Sequence, residues 1–369
     1  MSPKFELTCG DSGFMTNTFL LLLVLTGGLI LTANHAHAVD IGFSGFGTVA
    51  AGKVTSEADP PVLVDPVSGA EYDNAIRFEP ESLIALRAVS EVNDQVTATI
   101  QVIGKGAESS DADIEWAYAT YRLSAETVFN AGRFRLPLFY YSDFLDAAYA
   151  YHWIRPPVDV YSIPASTLTG VNIFNTHYFH NVGLTTQIWY GAEEKEDDEV
   201  VADITKSQGI NVILDYEWLR LRAVYHTIRI SLDVKPILVS SAGGLIQLDP
   251  EPSEGKVEYI ALGFMADYGS LLWRSEFTHI DSVLNVDTEI TGYASLVYMI
   301  GRFTPHYTYS FRDASPDTET HTVGVRWDFK QAAALKVEYS NSYQDGRDET
   351  PPTGESRTEF ISMALDFVF

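Results

Sequence analysis

Cysteine is nearly missing from this 369-residue chain, with Cys9 its only thiol. A disulfide within the chain is thereby excluded, as is a thiolate metal site. Cys9 also falls in a segment expected to be removed, which leaves no cysteine nucleophile. Basic residues are scarce too, Lys+Arg 24 against Asp+Glu 50, for a net charge of -26. That balance argues against nucleic acid as a partner, which needs a basic face, and against simple adhesion to anionic lipid. Histidines number 9 and are scattered. None of the spacings CxxC, HExxH, GxSxG or GxxxxGKS/T occurs. The expectation is therefore no metal site and no cofactor. Acidic blocks such as Glu193-Glu194-Lys195-Glu196-Asp197-Asp198-Glu199 read as solvated loop.

Long apolar runs are also lacking, with one exception near the start. Phe19 to Leu31 is an apolar run of 13 residues, too short for a comfortable spanning helix. Ala36-His37-Ala38 follows with the small-x-small pattern of a signal-peptidase site, so residues 1–38 read as a cleaved signal peptide and Val39 as the mature start. No cysteine follows the run, which excludes a lipoprotein. Lys4 is the only basic residue ahead of it, and Met15 is an alternative start. Downstream of Val39 no run approaches the roughly 20 apolar residues of a spanning helix. An exported chain of this kind is a periplasmic β-protein or an outer-membrane barrel.

What is present from Val39 to Phe369 is alternation. Blocks of about 8–12 residues switch between apolar and polar with the period of tilted membrane strands. In Arg302 to Arg312, Phe303, Pro305, Tyr307, Tyr309 and Phe311 share one face, and Arg302, Thr304, His306, Thr308, Ser310 and Arg312 the other. Strands are expected near 39–50, 81–91, 95–105, 112–122, 126–134, 170–177, 182–191, 209–217, 219–228, 257–267, 270–280, 289–299, 302–312, 318–329, 333–343 and 357–369. A sandwich and a barrel both satisfy such alternation; the connectors separate them. Tight turns at Asn93-Asp94, Ser124-Ala125, Asn181, Glu217-Trp218, Asp267–Gly269, Ile300-Gly301 and Gln331-Ala332 alternate with long connectors, the polar, acidic ones at 192–208, 229–256 and 344–356 among them. Short turns on one side and long loops on the other are the pattern of a bacterial outer-membrane barrel. The fold class expected is all-β, a transmembrane antiparallel barrel of about sixteen strands embedded in outer-membrane lipid.

One connector stands apart. Arg133 to Thr169 is rich in Tyr, Phe and Trp and punctuated by Pro137, Pro156, Pro157 and Pro164. A loop of that length within an ordered β-protein is usually functional, and 135–169 is expected to fold into the lumen and narrow it. Ser142-Asp143 is a reasonable N-cap for a short helix across Phe144–Trp153, stopped before Pro156-Pro157.

Parity assigns the lumen. A charge on the lipid face at mid-depth costs roughly 2–4 kcal/mol for Arg or Lys. Arg87, Arg220, Arg222, Arg274, Arg302, Arg312 and Arg326 are therefore expected to point inward, with Lys336 beside them. Asp215, Glu217, Glu276, Asp328 and Glu338 are the acidic candidates. Trp273, Phe277, Tyr307, Tyr309, Trp327 and Tyr339 are expected to face lipid. The long loop would bring Asp143, Asp146 and Asp159 into the lumen. Its aromatics, Phe139, Tyr140, Tyr141, Tyr149, Tyr151 and Trp153, either pack the loop against the wall or stack on a sugar or aromatic solute.

The chain ends in an alternating strand, Phe360 to Phe369, that stops on an aromatic. With the opening strand Gly42-Phe43-Ser44-Gly45-Phe46-Gly47-Thr48 and the long third loop, it resembles the Gram-negative general porin superfamily, the trimeric sixteen-stranded barrels. The resemblance implies a homotrimer, passive diffusion of small polar solutes and ions, and recognition of Phe369 by the barrel-assembly machinery. It also implies third-loop acids facing wall arginines across the narrowest point. Here Asp143 and Asp146 would be the acids, with Arg87, Arg133 and Arg135 the first candidates opposite.

Two other classes stay open: a substrate-specific channel for oligosaccharides or small anions, and a structural barrel with a blocked lumen. Catalysis is not expected. The best nucleophile–base candidates, His306 and Ser310, share a strand face but sit about 13 Å apart at 3.3 Å per residue, beyond hydrogen-bond reach. Acidic outer loops raise the local cation concentration at the mouth and favour a cation preference.

Overall fold

Every polar backbone group of a spanning structure must be bonded internally, and a strand ladder achieves this only when it closes on itself. In a computed structural model of the chain, sixteen antiparallel strands close in that way. It describes residues 40–369 apart from 57–58, 66–68, 108–111, 164–166, 197–199, 235–236, 242–243, 249–252, 283–287, 315 and 347–353. The expected signal peptide 1–38 and mature start Val39 lie outside the described residues.

The wall runs β1 (Ile41–Val54), β4 (Leu83–Glu91), β5 (Val96–Lys105), β6 (Ala112–Arg122), β7 (Thr127–Arg135), β8 (Thr167–Phe179), β9 (Val182–Glu196) and β10 (Val200–Tyr216). It continues through β11 (Leu219–Val234), β14 (Ser253–Tyr268), β15 (Leu271–Ser282), β16 (Glu289–Tyr298), β17 (Phe303–Asp313), β18 (Asp317–Lys330), β19 (Ala333–Gly346) and β20 (Gly354–Val368). Two small hairpins, β2 (Val62–Asp65) with β3 (Ala70–Tyr72) and β12 (Ile237–Ser241) with β13 (Gly244–Leu248), stand in long connectors. The sequence did not reveal them.

Each strand expected from alternation is present. The acidic connectors differ, because the ladder runs on into them. β9 reaches Glu196, β10 starts at Val200, and β11 extends to Val234. The reason is visible in Thr227-Ile228-Arg229-Ile230-Ser231-Leu232, where alternation persists past the point where charge suggested a loop. β10 has 17 residues, more than the roughly 9–11 that suffice to cross a bilayer. β4 and β7 have 9 each.

Outward positions carry the exposed apolar belt: Phe43, Ile84, Leu86, Leu262, Trp273, Phe277, Tyr307, Trp327, Tyr339 and Met363 are exposed. Their neighbours alternate inward, as in β17, where His306, Thr308 and Ser310 are buried beside exposed Tyr307. Tyr309 is only half-buried. Closure joins the two ends of the chain: β1 pairs with β20, Phe46 opposite Val368. Phe369 exchanges two backbone hydrogen bonds with Gly45, at 2.8 and 2.9 Å.

Gly132, Gly170 and Gly191 lie side by side on β7, β8 and β9. The backbones approach so closely there that a Cβ on Gly170 would meet the Tyr190 carbonyl oxygen at 2.2 Å and the Gly191 Cα at 2.6 Å. Gly170→Ala is therefore expected to cost about 1–3 kcal/mol by overpacking, read as a lower urea midpoint with an unchanged slope. The row sits just where the 136–166 connector leaves β7 and returns to β8.

Candidate functional site

Among its described residues the 136–166 connector has no continuing helix to satisfy its backbone. The expected helix over 144–153 is replaced by two single 3-10 turns, Ser142–Phe144 and Ala148–Ala150. The Ser142 hydroxyl does not cap the first; it accepts the Phe139 N–H at 2.9 Å. Carbonyls left without helical partners need donors from elsewhere, and the inward-facing cations of the wall supply them.

Three anchors hold the segment. At the first, Arg222 of β11 donates to the Leu138 oxygen at 2.8 Å and the Pro137 oxygen at 2.5 Å. Its countercharge Glu276 of β15 lies 3.6 Å away, both side chains almost fully buried. Glu276 also accepts the Tyr140 N–H at 2.7 Å, the Tyr161 hydroxyl, and the Tyr293 hydroxyl at 3.2 Å. At the second, Arg135 binds both Glu115 and Asp146 in a buried triad. Burial pushes the Asp146 carboxyl up, but Arg135, Lys105 and Arg155 outweigh it and hold the group below the usual carboxylate range. At the third, Arg326 of β18 donates to the Tyr149 and Tyr151 oxygens at 2.6 and 2.7 Å. Beside it Lys336 of β19 donates to the Ala148 and Trp153 oxygens at 2.6 and 2.5 Å and pairs with Asp366 at 2.8 Å. Asp366 in turn accepts the Thr48 hydroxyl at 2.7 Å.

Between the anchors the aromatics form one core. Phe139, Tyr141, Tyr151, Trp153 and Tyr161 are buried together with Tyr259 of β14 and Tyr293 of β16. Phe139 and Tyr161 rings lie 4.4 Å apart, and Tyr141 meets Trp153 edge-on at 5.4 Å. Of the two roles open for these rings, packing accounts for Tyr141, Tyr151 and Trp153. Tyr140 and Tyr149 remain half-buried, with Arg220 and Arg326 over their faces.

The other sequence candidates separate. Asp159 accepts the Ser310 and Thr318 hydroxyls at 2.6 and 2.8 Å and is bonded to hydroxyls, not to an arginine. Asp143 is exposed and shares a cavity of about 270 Å³ with Arg87, which lies 4.3 Å over the Trp116 ring. Arg133 instead pairs with Glu193. Arg220 pairs with Asp215, Arg274 with Asp267, and Arg312 with Glu289 at 2.9 Å. Arg302 and Glu217 lie in tight turns, off the wall, because β17 begins at Phe303 and β10 ends at Tyr216. His306 faces Glu338 at 3.4 Å, and Glu338 accepts the Ile154 N–H at 2.8 Å.

Asp366 shares inward parity with Ala364 and Ser362 and was within reach of the alternation rule. Glu115 was not. It sits at an irregularity in the β5–β6 ladder, where Gln101 opposes Trp116 but Val102 opposes Ile114. Parity alone would have sent Glu115 to the lipid.

A further contact joins this segment to the first connector. Arg155 pairs with Asp65 at 3.1 Å, and the Tyr72 hydroxyl donates to Glu81 at 2.5 Å. Burial pushes the Glu81 carboxyl up to about 7, with Arg155 and Tyr72 opposing and Glu338 and Asp65 adding to the rise. Folded Glu81 thus holds its proton above the 4.5 of the free group. Its contribution to stability is full below pH 4.5 and fades as pH rises through about 7. Urea midpoints of Glu81→Gln are expected to lack the part of the fall with pH over this window that the unaltered protein shows.

No protein-family model and no curated protein matches the sequence. Solved structures do. The outer membrane channel DcaP of Acinetobacter baumannii aligns at 14% identity over 91% of this chain and 99% of its own, with TM-score 0.59. OmpF of Salmonella typhi, solved with daunomycin, aligns at 12% over 91% and 99%, TM-score 0.59. OmpT of Vibrio cholerae, an outer membrane protein, aligns at 13% over 91% and 99%, TM-score 0.58. The fold is that of the porin-type outer-membrane barrels.

Proposed function

We propose that the chain forms a water-filled channel in the Gram-negative outer membrane, open to passive diffusion of small polar solutes and ions and narrowed by the 136–166 segment. The observation that carries this is the set of bonds from Arg222, Glu276, Arg326 and Lys336 to that segment, made from the inward faces of wall strands far from β7 and β8. Open space remains on both sides of it, about 340 Å³ against the long-connector side and about 270 Å³ beside Arg87 and Asp143. The net charge of -26 and the exposed Asp143 favour cations.

In this reading the chain is exported by its first 38 residues, and Phe369 is the signal for barrel assembly. The chain works as a homotrimer, for which the trimer form of OmpT, at TM-score 0.55, is a precedent in the same fold. It is a channel and not an enzyme. Refolded protein in a planar bilayer with a KCl gradient tests this. Conductance steps in groups of three with a reversal potential on the cation side are expected. A folded barrel that passes no current would overturn the channel.

A further inference from the structure

The larger of the two spaces has two unlike walls. One is a grid of hydroxyls on four consecutive strands. Ladder pairing sets Ser310, Thr320, Ser342 and Thr358 side by side in one row across β17, β18, β19 and β20. Thr322 and Ser340 lie opposite one another two residues further along the strands. Neighbouring strands are about 4.8 Å apart, a spacing comparable with that between alternate hydroxyls of a sugar ring. The other comes from the connectors, with apolar surface from Pro61 and Val62 of the first and Pro157 and Val158 of the third beside the charged Glu81, Arg155 and Asp159.

The hydroxyls are oriented but not saturated. Thr320 donates to Ser342 at 3.2 Å, and Thr322 and Ser340 share a bond at 2.9 Å. Each hydroxyl has one donor and two acceptor sites, so such a pair still offers acceptors to the cavity. The charges at its margin are engaged already: Arg155 with Asp65, Arg312 with Glu289, Glu338 with the Ile154 N–H, and Asp159 with Ser310 and Thr318. A charged solute would have to displace one of these contacts. A neutral solute with many hydroxyl donors on its edge and C–H groups on its face would meet both walls as they stand. The volume of about 340 Å³ lies at the small end of the range for ligand sites.

Resting on the channel reading above, we propose that this vestibule is a binding subsite for neutral polyhydroxylated solutes of mono- to disaccharide size. Binding there makes passage of such solutes saturable.

The test uses maltose as probe on the full barrel in a planar bilayer, added to the long-connector side while KCl current is recorded. Saturable block is expected. Thr320→Val with Ser342→Ala removes one hydroxyl pair at nearly constant shape. It is expected to weaken the block about tenfold, the order of one neutral hydrogen bond, with KCl conductance unchanged. Thr322→Val with Ser340→Ala should do the same. Block that never saturates, or that both variants leave as strong as in the unaltered protein, overturns the subsite and leaves the channel intact. Absence of KCl current overturns the channel instead. The subsite is then decided by calorimetry of maltose on the detergent-solubilised barrel, where heat that both variants reduce supports it and no heat refutes it.

Discussion

Lys336→Ala should lower the stability of the folded barrel by about 3–5 kcal/mol, the usual cost of leaving one member of a buried ion pair alone. Lys336 and Asp366 both have side chains with no exposure. Loss of the ammonium strands the Asp366 carboxylate and removes the donor shared by the Ala148 and Trp153 carbonyls. Urea unfolding followed by tryptophan fluorescence reads the effect. The double replacement Lys336→Met with Asp366→Leu should recover much of the loss, since a buried pair exchanged for apolar groups of similar volume is often neutral. A single variant as stable as the parent would show that the pair is not buried as described.

Glu276→Ala acts on the function of the segment more than on the wall. One carboxylate organises Tyr140, Tyr161, Tyr293 and Arg222. Without it Arg222 keeps its bonds to the Leu138 and Pro137 carbonyls but loses its buried countercharge, and the segment loses its tie at Tyr140. Single-channel conductance should rise several-fold, with added open-channel noise as the segment moves. Glu276→Gln keeps the shape and one acceptor and should fall between. Unchanged conductance in Glu276→Ala would mean that this anchor does not set the width of the passage.

The wall was legible because strand alternation is a local property. Tyr307 and Trp327 outward, Ser310 and Arg326 inward, follow from parity alone. The tight turns were equally plain, with Gly269 and Gly301 in the left-handed region where glycine is favoured. The bonds of the long segment were not legible, because they join residues far apart in the chain: Tyr140 to Glu276 across 136 positions and Ala148 to Lys336 across 188. Parity listed the cations but could not say what they hold. Arg87, Arg133 and Arg135 were the first candidates to face the acids of the loop; Arg135 does hold Asp146, whereas Arg222, Arg326 and Lys336 hold the loop's backbone carbonyls. The capping pattern at Ser142-Asp143 suggested a helix over 144–153, stopped before Pro156-Pro157. The wall donors offered the carbonyls of that stretch an alternative, and the helix gave way to single turns.

The most direct test of the central idea, that solutes pass along the 136–166 segment, places a thiol on it. Ala150 is exposed and borders the space shared by Asp143 and Arg87. In a chain carrying Cys9→Ser and Ala150→Cys, a bulky methanethiosulfonate reagent added during planar-bilayer recording should cut the current sharply, and a reductant should restore it. Full labelling confirmed by mass, with current unchanged, would contradict the account.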